Sequence, residues 1–271
     1  MNAFRIKTVD GYDISTVINR PESRDIIIWM HGISVNKDEY LGFFHEGAKR
    51  LGDRGIGSIR FDFRGHGDSS GNSLDFSIVG QNLDVRAIVD FAQHNFARGT
   101  RLHIVGASFG APPAIFAAAR YPIRSICLIA PVLSYRRTFI EPETEWGREI
   151  FSIDRLQKLD KTGRLYIESE FCVSHRFVEE MRIIRPDTVL ADLKQRILIM
   201  HGNRDSMVPY DATAQICEGL QHVTLLTLEG ADHGFMQEGD DEGVSPNSLS
   251  NKETIYRMIE ENILCIPNKA F

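Results

Sequence analysis

The pentapeptide Gly106-Ala107-Ser108-Phe109-Gly110 decides the fold because of the segments on either side of it. The strand-length run Leu102-His103-Ile104-Val105 directly precedes it, and an Ala-rich helical stretch, 111–120, directly follows it. A serine in a Gly-x-Ser-x-Gly turn between a strand and a helix is typical of a nucleophile elbow. We therefore predict that Ser108 projects its hydroxyl from the carboxyl end of a strand, and that Gly106 and Gly110 leave room for the sharp turn. A Gly-rich turn whose serine caps the helix would show the same five residues.

Strand-length apolar runs alternate with amphipathic stretches on both sides of this turn. Strands are predicted at 25–30, 57–63, 101–105, 125–130, 196–200 and 223–228, and helices at 78–95, 111–120, 211–220 and 251–263. Two short runs joined by a Gly-containing turn, 4–9 and 14–19, predict an antiparallel hairpin at the start. The alternation indicates βαβ crossovers, and hence an α/β fold with a mostly parallel sheet.

The alternation stops after Pro131 and resumes at Arg196. The residues between them are rich in charged and aromatic side chains, which predicts an insertion over the sheet. We divide the chain into a core, 1–132 and 195–271, and an insertion, 133–194. Within the insertion, Gly147 and Gly163 are expected to break helices. The insertion with its aromatic residues is expected to form a substrate pocket, although for most of these residues the alternative is the core of a small lid. A second irregular stretch, 237–248, is predicted to be a solvated loop.

Composition bounds the class of protein. The 271 residues fit one α/β domain with an insertion, and 42% hydrophobic residues supply a sizeable core. The net charge of -6 gives no basic footprint for nucleic acid, so no nucleic-acid partner is expected. The first ten residues have no apolar run of the secretory kind, and no window approaches about 18 consecutive apolar residues, so neither a secretion signal nor a membrane partner is expected.

The four cysteines predict neither a metal site nor a disulfide framework. They are at least 45 residues apart and none belongs to a C-x-x-C pair. We expect small buried thiols and a reducing, cytoplasmic location. The cysteines are Cys127, Cys172, Cys217 and Cys265.

Two later segments supply the partners that a serine nucleophile needs. A serine hydroxyl requires a base, and the base requires an acceptor that orients it. Asp205 follows the strand predicted at 196–200, and His233 follows the strand predicted at 223–228, so both are expected at the same sheet edge as Ser108. The chain order Ser108, Asp205, His233 is that of a triad on this architecture. Asp232 is a rival for the role of Asp205, but it directly precedes His233 and its side chain can hardly reach the ring nitrogen.

An oxyanion hole requires two backbone N–H groups. We predict that Phe109 supplies one and that Ile33, in the loop after the strand at 25–30, supplies the other. Gly32 would act as a hinge. His31 could be mistaken for a second base, but its position before the turn favours a structural role.

Taken together, these motifs resemble those of α/β-hydrolases, and most closely the bacterial cinnamoyl or feruloyl esterases and their serine aminopeptidase-like relatives. The motifs are Met30-His31-Gly32, Phe61-Asp62-Phe63-Arg64-Gly65-His66-Gly67-Asp68-Ser69-Ser70-Gly71, Gly106 to Gly110, His201-Gly202-x-x-Asp205 with Val208-Pro209, and Asp232-His233. The resemblance implies an eight-stranded, mostly parallel sheet with helices on both faces, and a small lid, 133–194, after the sixth strand. It also implies that Arg64, His66 and Asp68 hold a loop beneath the oxyanion hole. The elbow departs from the esterase pattern, which usually has His before and Gln after the serine.

The predicted function is hydrolysis of a small acyl or aryl ester, or thioester, through an acyl-enzyme without a metal or organic cofactor. Amide or peptide hydrolysis and acyl transfer use the same triad and stay open as alternatives. A binding module that has lost turnover is an alternative from another class. The expected partner is a small-molecule ester, and a homo-oligomer is left open.

Overall fold

The computed structural model describes residues 2–264, in which an eight-stranded sheet carries the fold. Its strands are β1 (Asn2–Lys7), β2 (Asp13–Asn19), β3 (Asp25–Met30), β4 (Gly57–Phe61), β5 (Arg101–Ala107), β6 (Ile123–Ile129), β9 (Arg196–Gly202) and β10 (Val223–Leu228); a separate hairpin has β7 (Leu165–Tyr166) and β8 (Cys172–Val173). The order in the sheet is β1-β2-β4-β3-β5-β6-β9-β10. The pairs β1/β2 and β2/β4 are antiparallel and the other neighbouring pairs are parallel. The predicted eight-stranded, mostly parallel sheet is confirmed.

Helices cover both faces of this sheet. They are α1 (Phe43–Gly52), α2 (Ile78–Asn95), α3 (Ala111–Arg120), α4 (Glu145–Ile150), α5 (Ile153–Thr162), α6 (His175–Ile183), α7 (Pro186–Asp192), α8 (Tyr210–Cys217) and α9 (Pro246–Leu264). Successive side chains of a strand point to opposite faces, so Ile26 and Ile28 pack with α2 and α3, whereas Ile27 and Trp29 pack with α1 and α9. This two-sided burial explains why β3 reads as a continuous apolar run.

Helix α1 was not predicted from the sequence. Its apolar residues are interrupted by Gly47 and end at Gly52, which lowers the helical propensity of the segment. Packing overrides that propensity: a Cβ on Gly47 would lie 2.8 Å from the ring of Trp29, so glycine lets the helix approach the sheet. Helix α9 also begins earlier than predicted, at Pro246, because proline suits the first turn of a helix. The predicted loop therefore ends at Ser245.

The insertion, 133–194, leaves the sheet after β6 and returns at β9. It contains α4 to α7, a π-helical turn (Arg136–Ile140) and the β7/β8 hairpin. Gly163 ends α5 in the left-handed conformation, with φ of 72°. Gly147 instead lies within α4, so the prediction of a helix break there was wrong. Whether the insertion acts as a lid stays a prediction.

Three of the four cysteines lie in the described part of the chain. Cys127 and Cys172 are buried and Cys217 is half-buried, all as free thiols. Burial raises the pKa of Cys127 to about 12. Cys265 lies outside the described residues. None of the helices within residues 2–264 combines the length and the apolar character needed to cross a membrane.

Candidate active site

Ser108 sits on a strained turn between β5 and α3. Its φ of 48° lies in the left-handed region, which costs free energy for any residue with a Cβ. The neighbouring glycines allow the turn: a Cβ on Gly110 would lie 2.0 Å from the carbonyl oxygen of Met30, and one on Gly106 would lie 2.7 Å from that of Gly110. The turn places Ser108 at the carboxyl end of β5, where it lines a cavity.

Asp205 and His233 come together from the loops after β9 and β10. Asp205 Oδ2 lies 2.8 Å from His233 Nδ1 and accepts a second hydrogen bond, of 3.0 Å, from His201 Nε2. Asp205 Oδ1 accepts from the backbone N–H groups of Met207 and Val208 at 2.9 and 2.8 Å. Burial alone would raise the pKa of Asp205, but the His233 charge and the hydrogen bonds with the His201 and His233 rings hold it well below its usual range. The carboxylate is therefore ionised and fully partnered.

Asp232 binds the backbone of His233 and not its ring: its Oδ1 accepts the His233 N–H at 2.7 Å. Its Oδ1 accepts hydrogen bonds of 2.8 Å from both the backbone N–H and the hydroxyl of Ser206. The structure therefore brings Asp205, and not Asp232, to the imidazole nitrogen.

The Asp205 contact fixes the state of the His233 ring. A carboxylate at Nδ1 holds the proton on that nitrogen, which leaves the Nε2 lone pair available. Burial would lower the pKa of His233, but the charge of Asp205, helped by Glu39 and Asp232, raises it above its ordinary value of 6.5. A base of this kind gains its proton more readily than a free histidine.

Ser108 and His233 line the same cavity, whose volume is about 240 Å³. Its wall is mostly apolar, with Ile33, Val35, Phe43, Ile129, Ile167, Met207, Phe235 and Met236. From the insertion, only Ile167 and Glu168 reach it.

In the described part of the chain, no aromatic residue of the insertion lines the cavity, so these side chains match the expected lid core and not the expected pocket. Tyr135, Phe139 and Phe177 are buried, with ring centroids 5.2 to 5.7 Å from that of Phe109. They form a core behind the elbow, because such large apolar side chains are most stable when fully covered.

The loop after β3 carries the first predicted oxyanion donor, Ile33. Within residues 2–264, no protein acceptor takes the Ile33 N–H, and this residue lines the cavity beside Ser108. The loop approaches the elbow so closely that a Cβ on Gly32 would lie 3.3 Å from Ser108 Cβ. Phe109, the second predicted donor, lies in the first turn leading into α3, where backbone N–H groups have no partner within the helix.

His31 and His66 hold this loop as neutral rings. His31 Nε2 accepts the Phe63 N–H at 3.0 Å, so its Nδ1–H donates to the Gly32 carbonyl at 2.6 Å. His66 Nε2 likewise accepts the Ser34 N–H at 3.2 Å. Burial lowers the pKa of His31 to about 4 and that of His66 to about 3. Because both lone pairs are occupied, neither ring is available as a base.

A charged cluster lies beneath the same loop, and of its members the sequence had indicated Asp68 but not Lys37 or the role of Asp62. Buried Asp62 accepts hydrogen bonds of 2.7 Å from both the backbone N–H and the Nζ of Lys37, and one of 2.9 Å from the Asp68 N–H. Lys37 Nζ also donates to the Asp68 carboxylate at 2.9 Å. Arg64, expected to hold the same loop, binds Asp84 and Asp10 instead and ties the loop to α2 and to the hairpin.

Glu39 was also missed. Its Oε2 accepts the Gly32 N–H at 2.8 Å, its Oε1 accepts the Tyr40 N–H at 3.0 Å, and its side chain lines the cavity. Nothing in the polar stretch 36–39 distinguishes this carboxylate from a solvated one.

A second Ser-His-Asp constellation lies at the opposite edge of the sheet. His103 Nδ1 is 2.7 Å from Ser125 Oγ, and its Nε2 is 3.0 Å from Asp25 Oδ1. All three residues are at most 2% exposed. A substrate cannot reach them, so they cross-link the amino ends of the strands.

Comparisons with known proteins agree with this architecture. A model of the alpha/beta hydrolase family matches residues 27–245. The chain is 24% identical over 195 residues to the mitochondrial palmitoyl-protein thioesterase ABHD10 of Mus musculus, a match that covers 67% of this chain and 60% of that protein's length. It is 24% identical over 257 residues to the 2-(acetamidomethylene)succinate hydrolase of Mesorhizobium japonicum, covering 85% of this chain and 89% of that protein.

Among solved structures, Est1E from Butyrivibrio proteoclasticus with bound ferulic acid superposes with a TM-score of 0.74 at 21% identity, covering 97% of this chain and all of that one. The Pyrococcus furiosus esterase Pf2001 superposes with a TM-score of 0.68 at 20% identity, covering 97% and 91%. These structures share the fold. The family model matches the chain from β3 to the end of the loop before α9, which is well over half of its length. The chain therefore belongs to the alpha/beta hydrolase family.

Proposed function

We propose that the protein is a serine hydrolase that cleaves a carboxylic ester or thioester of a small acyl or aryl substrate through an acyl-enzyme. The observation that carries this proposal is the 2.8 Å contact between His233 Nδ1 and the buried Asp205 carboxylate, at a cavity that also holds the strained Ser108. A positioned base with its orienting acid, beside an accessible hydroxyl, is the arrangement that acyl transfer requires.

Each group has a defined task in this mechanism. His233 Nε2 takes the proton from Ser108 as its oxygen bonds to the substrate carbonyl, and the Ile33 and Phe109 N–H groups hold the resulting oxyanion. The protonated ring then gives its proton to the leaving group as the carbonyl–leaving group bond breaks. Water, deprotonated by the same ring, releases the acid and restores Ser108.

The cavity supports a small, apolar acyl or aryl group. Its volume of about 240 Å³ lies below the range of roughly 300–1,000 Å³ that is common for ligand pockets. A palmitoyl chain, which the mouse relative's name implies as its substrate, is therefore not the substrate we propose. Among the described residues, no lysine or arginine lines the cavity to bind a substituted succinate. Residues 133–194 stay a proposed lid, since Ile167 and Glu168 reach the cavity wall.

A fluorophosphonate probe tests the nucleophile. The wild-type protein is expected to become labelled and Ser108→Ala to stay unlabelled. Ser125→Ala is the matched control, because Ser125 also contacts a histidine but is buried; it is expected to label like wild type. Equal labelling of Ser108→Ala and wild type, or an unlabelled wild type, would contradict the assignment. Rates of hydrolysis for esters and for aminoacyl anilides distinguish an esterase from an amidase. Reactions with an added alcohol acceptor show whether the acyl group is transferred to the alcohol instead of to water.

The pH profile tests the base. His233 must be neutral to accept a proton, and its pKa lies above 6.5, so kcat/KM is expected to rise with pH through a midpoint above 6.5. The Asp205 pKa lies far below this window, and the pKa values of His31 and His66, about 4 and 3, keep those rings neutral across it. The pKa of an ordinary histidine is about 6.5. A midpoint of the pH profile at or below about 6 would therefore contradict the role of His233.

A further inference from the structure

Glu39 is a carboxylate fixed in the cavity wall, and the mechanism above does not use it. Its backbone has φ of 61°, an unusual conformation for a residue with a side chain. Hydrogen bonds from the Gly32 and Tyr40 N–H groups hold its two oxygens. The strained backbone and the two bonds keep the carboxylate in one position, facing the cavity that Ser108 and His233 line.

This carboxylate lies close to the reacting serine. Glu39 Oε2 and Ser108 Cβ lie 3.7 and 3.3 Å from the position that a Gly32 Cβ would occupy, which sets an upper limit of 7.0 Å on their separation. A charged group on a substrate a few bonds from the scissile carbonyl would lie at a similar distance from the carboxylate. Burial raises the pKa of Glu39, while the hydrogen bonds from the Gly32 and Tyr40 N–H groups oppose that shift. With the carboxylate ionised and an effective dielectric constant of about 20, two like charges roughly 6 Å apart weaken binding by at least tenfold.

Among the described residues, no lysine or arginine offsets this charge at the cavity wall, and His233 is neutral when it acts as the base. The ionisable residues there, among those described, include three acids, Glu39, Glu168 and Asp241, together with His233. Lys37, two residues before Glu39, directs its Nζ to Asp62 and Asp68.

We propose that Glu39 is a specificity-determining residue that excludes esters with a carboxylate close to the scissile carbonyl and favours esters whose acyl group is uncharged or cationic. This inference rests on the proposed ester hydrolysis. Glu168 is exposed, so water screens its charge and its contribution is smaller.

Three ethyl esters at pH 7.5 test the inference: the butyrate, the hemisuccinate and the 4-(trimethylammonio)butyrate. Release of acid is followed by titration, and the kcat/KM values, corrected by subtraction of the uncatalysed rate, are compared as ratios. Wild type is expected to discriminate against the hemisuccinate by at least tenfold relative to the butyrate. In Glu39→Gln the hemisuccinate-to-butyrate ratio is expected to rise about tenfold and the ratio for the cationic ester to fall, because one charge has been removed. The ratios cancel any loss common to all substrates, including one from a displaced Gly32 loop.

Two matched variants locate the effect. Glu168→Gln is expected to change the ratios by less than about threefold, because its charge is screened, and Glu22→Gln, whose exposed carboxylate follows β2 away from the cavity, is expected to change nothing. If the wild-type protein hydrolyses the hemisuccinate and the butyrate with equal kcat/KM, the inference is overturned without recourse to any variant. Unchanged ratios in a folded Glu39→Gln also overturn it. Failure of the proposed function looks different: wild type then hydrolyses none of the three esters and Ser108 is not labelled.

Discussion

Replacing Asp205 with asparagine is expected to lower kcat/KM for p-nitrophenyl butyrate by on the order of 10⁴-fold. Asp205 holds the proton of His233 on Nδ1 through a 2.8 Å contact and compensates the charge of the ring once it is protonated. An asparagine amide can donate to Nδ1, which would favour the wrong tautomer and leave Nε2 protonated. It would also remove the main negative charge that raises the pKa of His233.

Asp232→Asn is the matched control for this substitution. Asp232 is adjacent to His233 in the chain, but its Oδ1 accepts from Ser206 and from the His233 backbone N–H, and an asparagine oxygen can still accept these bonds. We expect kcat/KM to change by less than about threefold, which corresponds to the free energy of a weakened hydrogen bond. Steady-state kinetics on both variants, with circular dichroism to verify folding, compare the two carboxylates directly. A larger loss in Asp232→Asn than in Asp205→Asn would reverse the assignment.

The sheet was predictable because its strands carry a strong local signal. Strands such as β3 are covered on both faces, so burial requires a continuous apolar run that is visible in sequence. The bounds of α2 and α3 also agree with prediction, because Ser77 caps α2 and both helices end where an extended residue begins. Helix α1 has no comparable signal, since its position depends on contact between Gly47 and Trp29.

The candidate site was predictable where its residues follow strands. Ser108, Asp205 and His233 each lie within a few residues after a predicted strand, and parallel strands bring such positions to one edge. The structure places Asp205 against His233, and Ser108 and His233 in the cavity wall; their catalytic roles stay predictions.

Other polar residues of the site could not have been identified in advance. Lys37 and Glu39 lie in a polar stretch that resembles a solvated turn, and only tertiary contacts with Asp62 and Gly32 give them their places. His201 is a similar case, since its sequence position within a strand end does not reveal that its ring donates to Asp205. Apolar patterns likewise predict burial but not which cavity a side chain will face, so the sequence left both a pocket and a lid core open for the aromatic residues of the insertion.

The close approach of the elbow to β3 makes Gly110 the most sensitive glycine to test for stability. We expect Gly110→Ala to lower the free energy of unfolding by at least about 3 kcal/mol, at or beyond the upper end of the usual cost of overpacking. The reason is geometric: the new Cβ would lie 2.0 Å from the Met30 carbonyl oxygen, and neither backbone segment can move without displacing Ser108 or the strand before the oxyanion loop. Fluorophosphonate labelling is therefore expected to weaken along with stability.

Gly52→Ala supplies the matched control, since the same methyl group is added in the last turn of α1. Nothing lies within 4 Å of that Cβ position, and the backbone there is helical. Alanine is the better helix former by up to about 1 kcal/mol, so this variant is expected to be neutral or slightly more stable. Urea unfolding midpoints for the two variants separate a general effect of glycine replacement from the specific contact with Met30. If Gly110→Ala unfolds at the same urea concentration as Gly52→Ala, the elbow is not packed against β3 as closely as the structure indicates. A steric clash would then not explain why the motif has glycine at position 110.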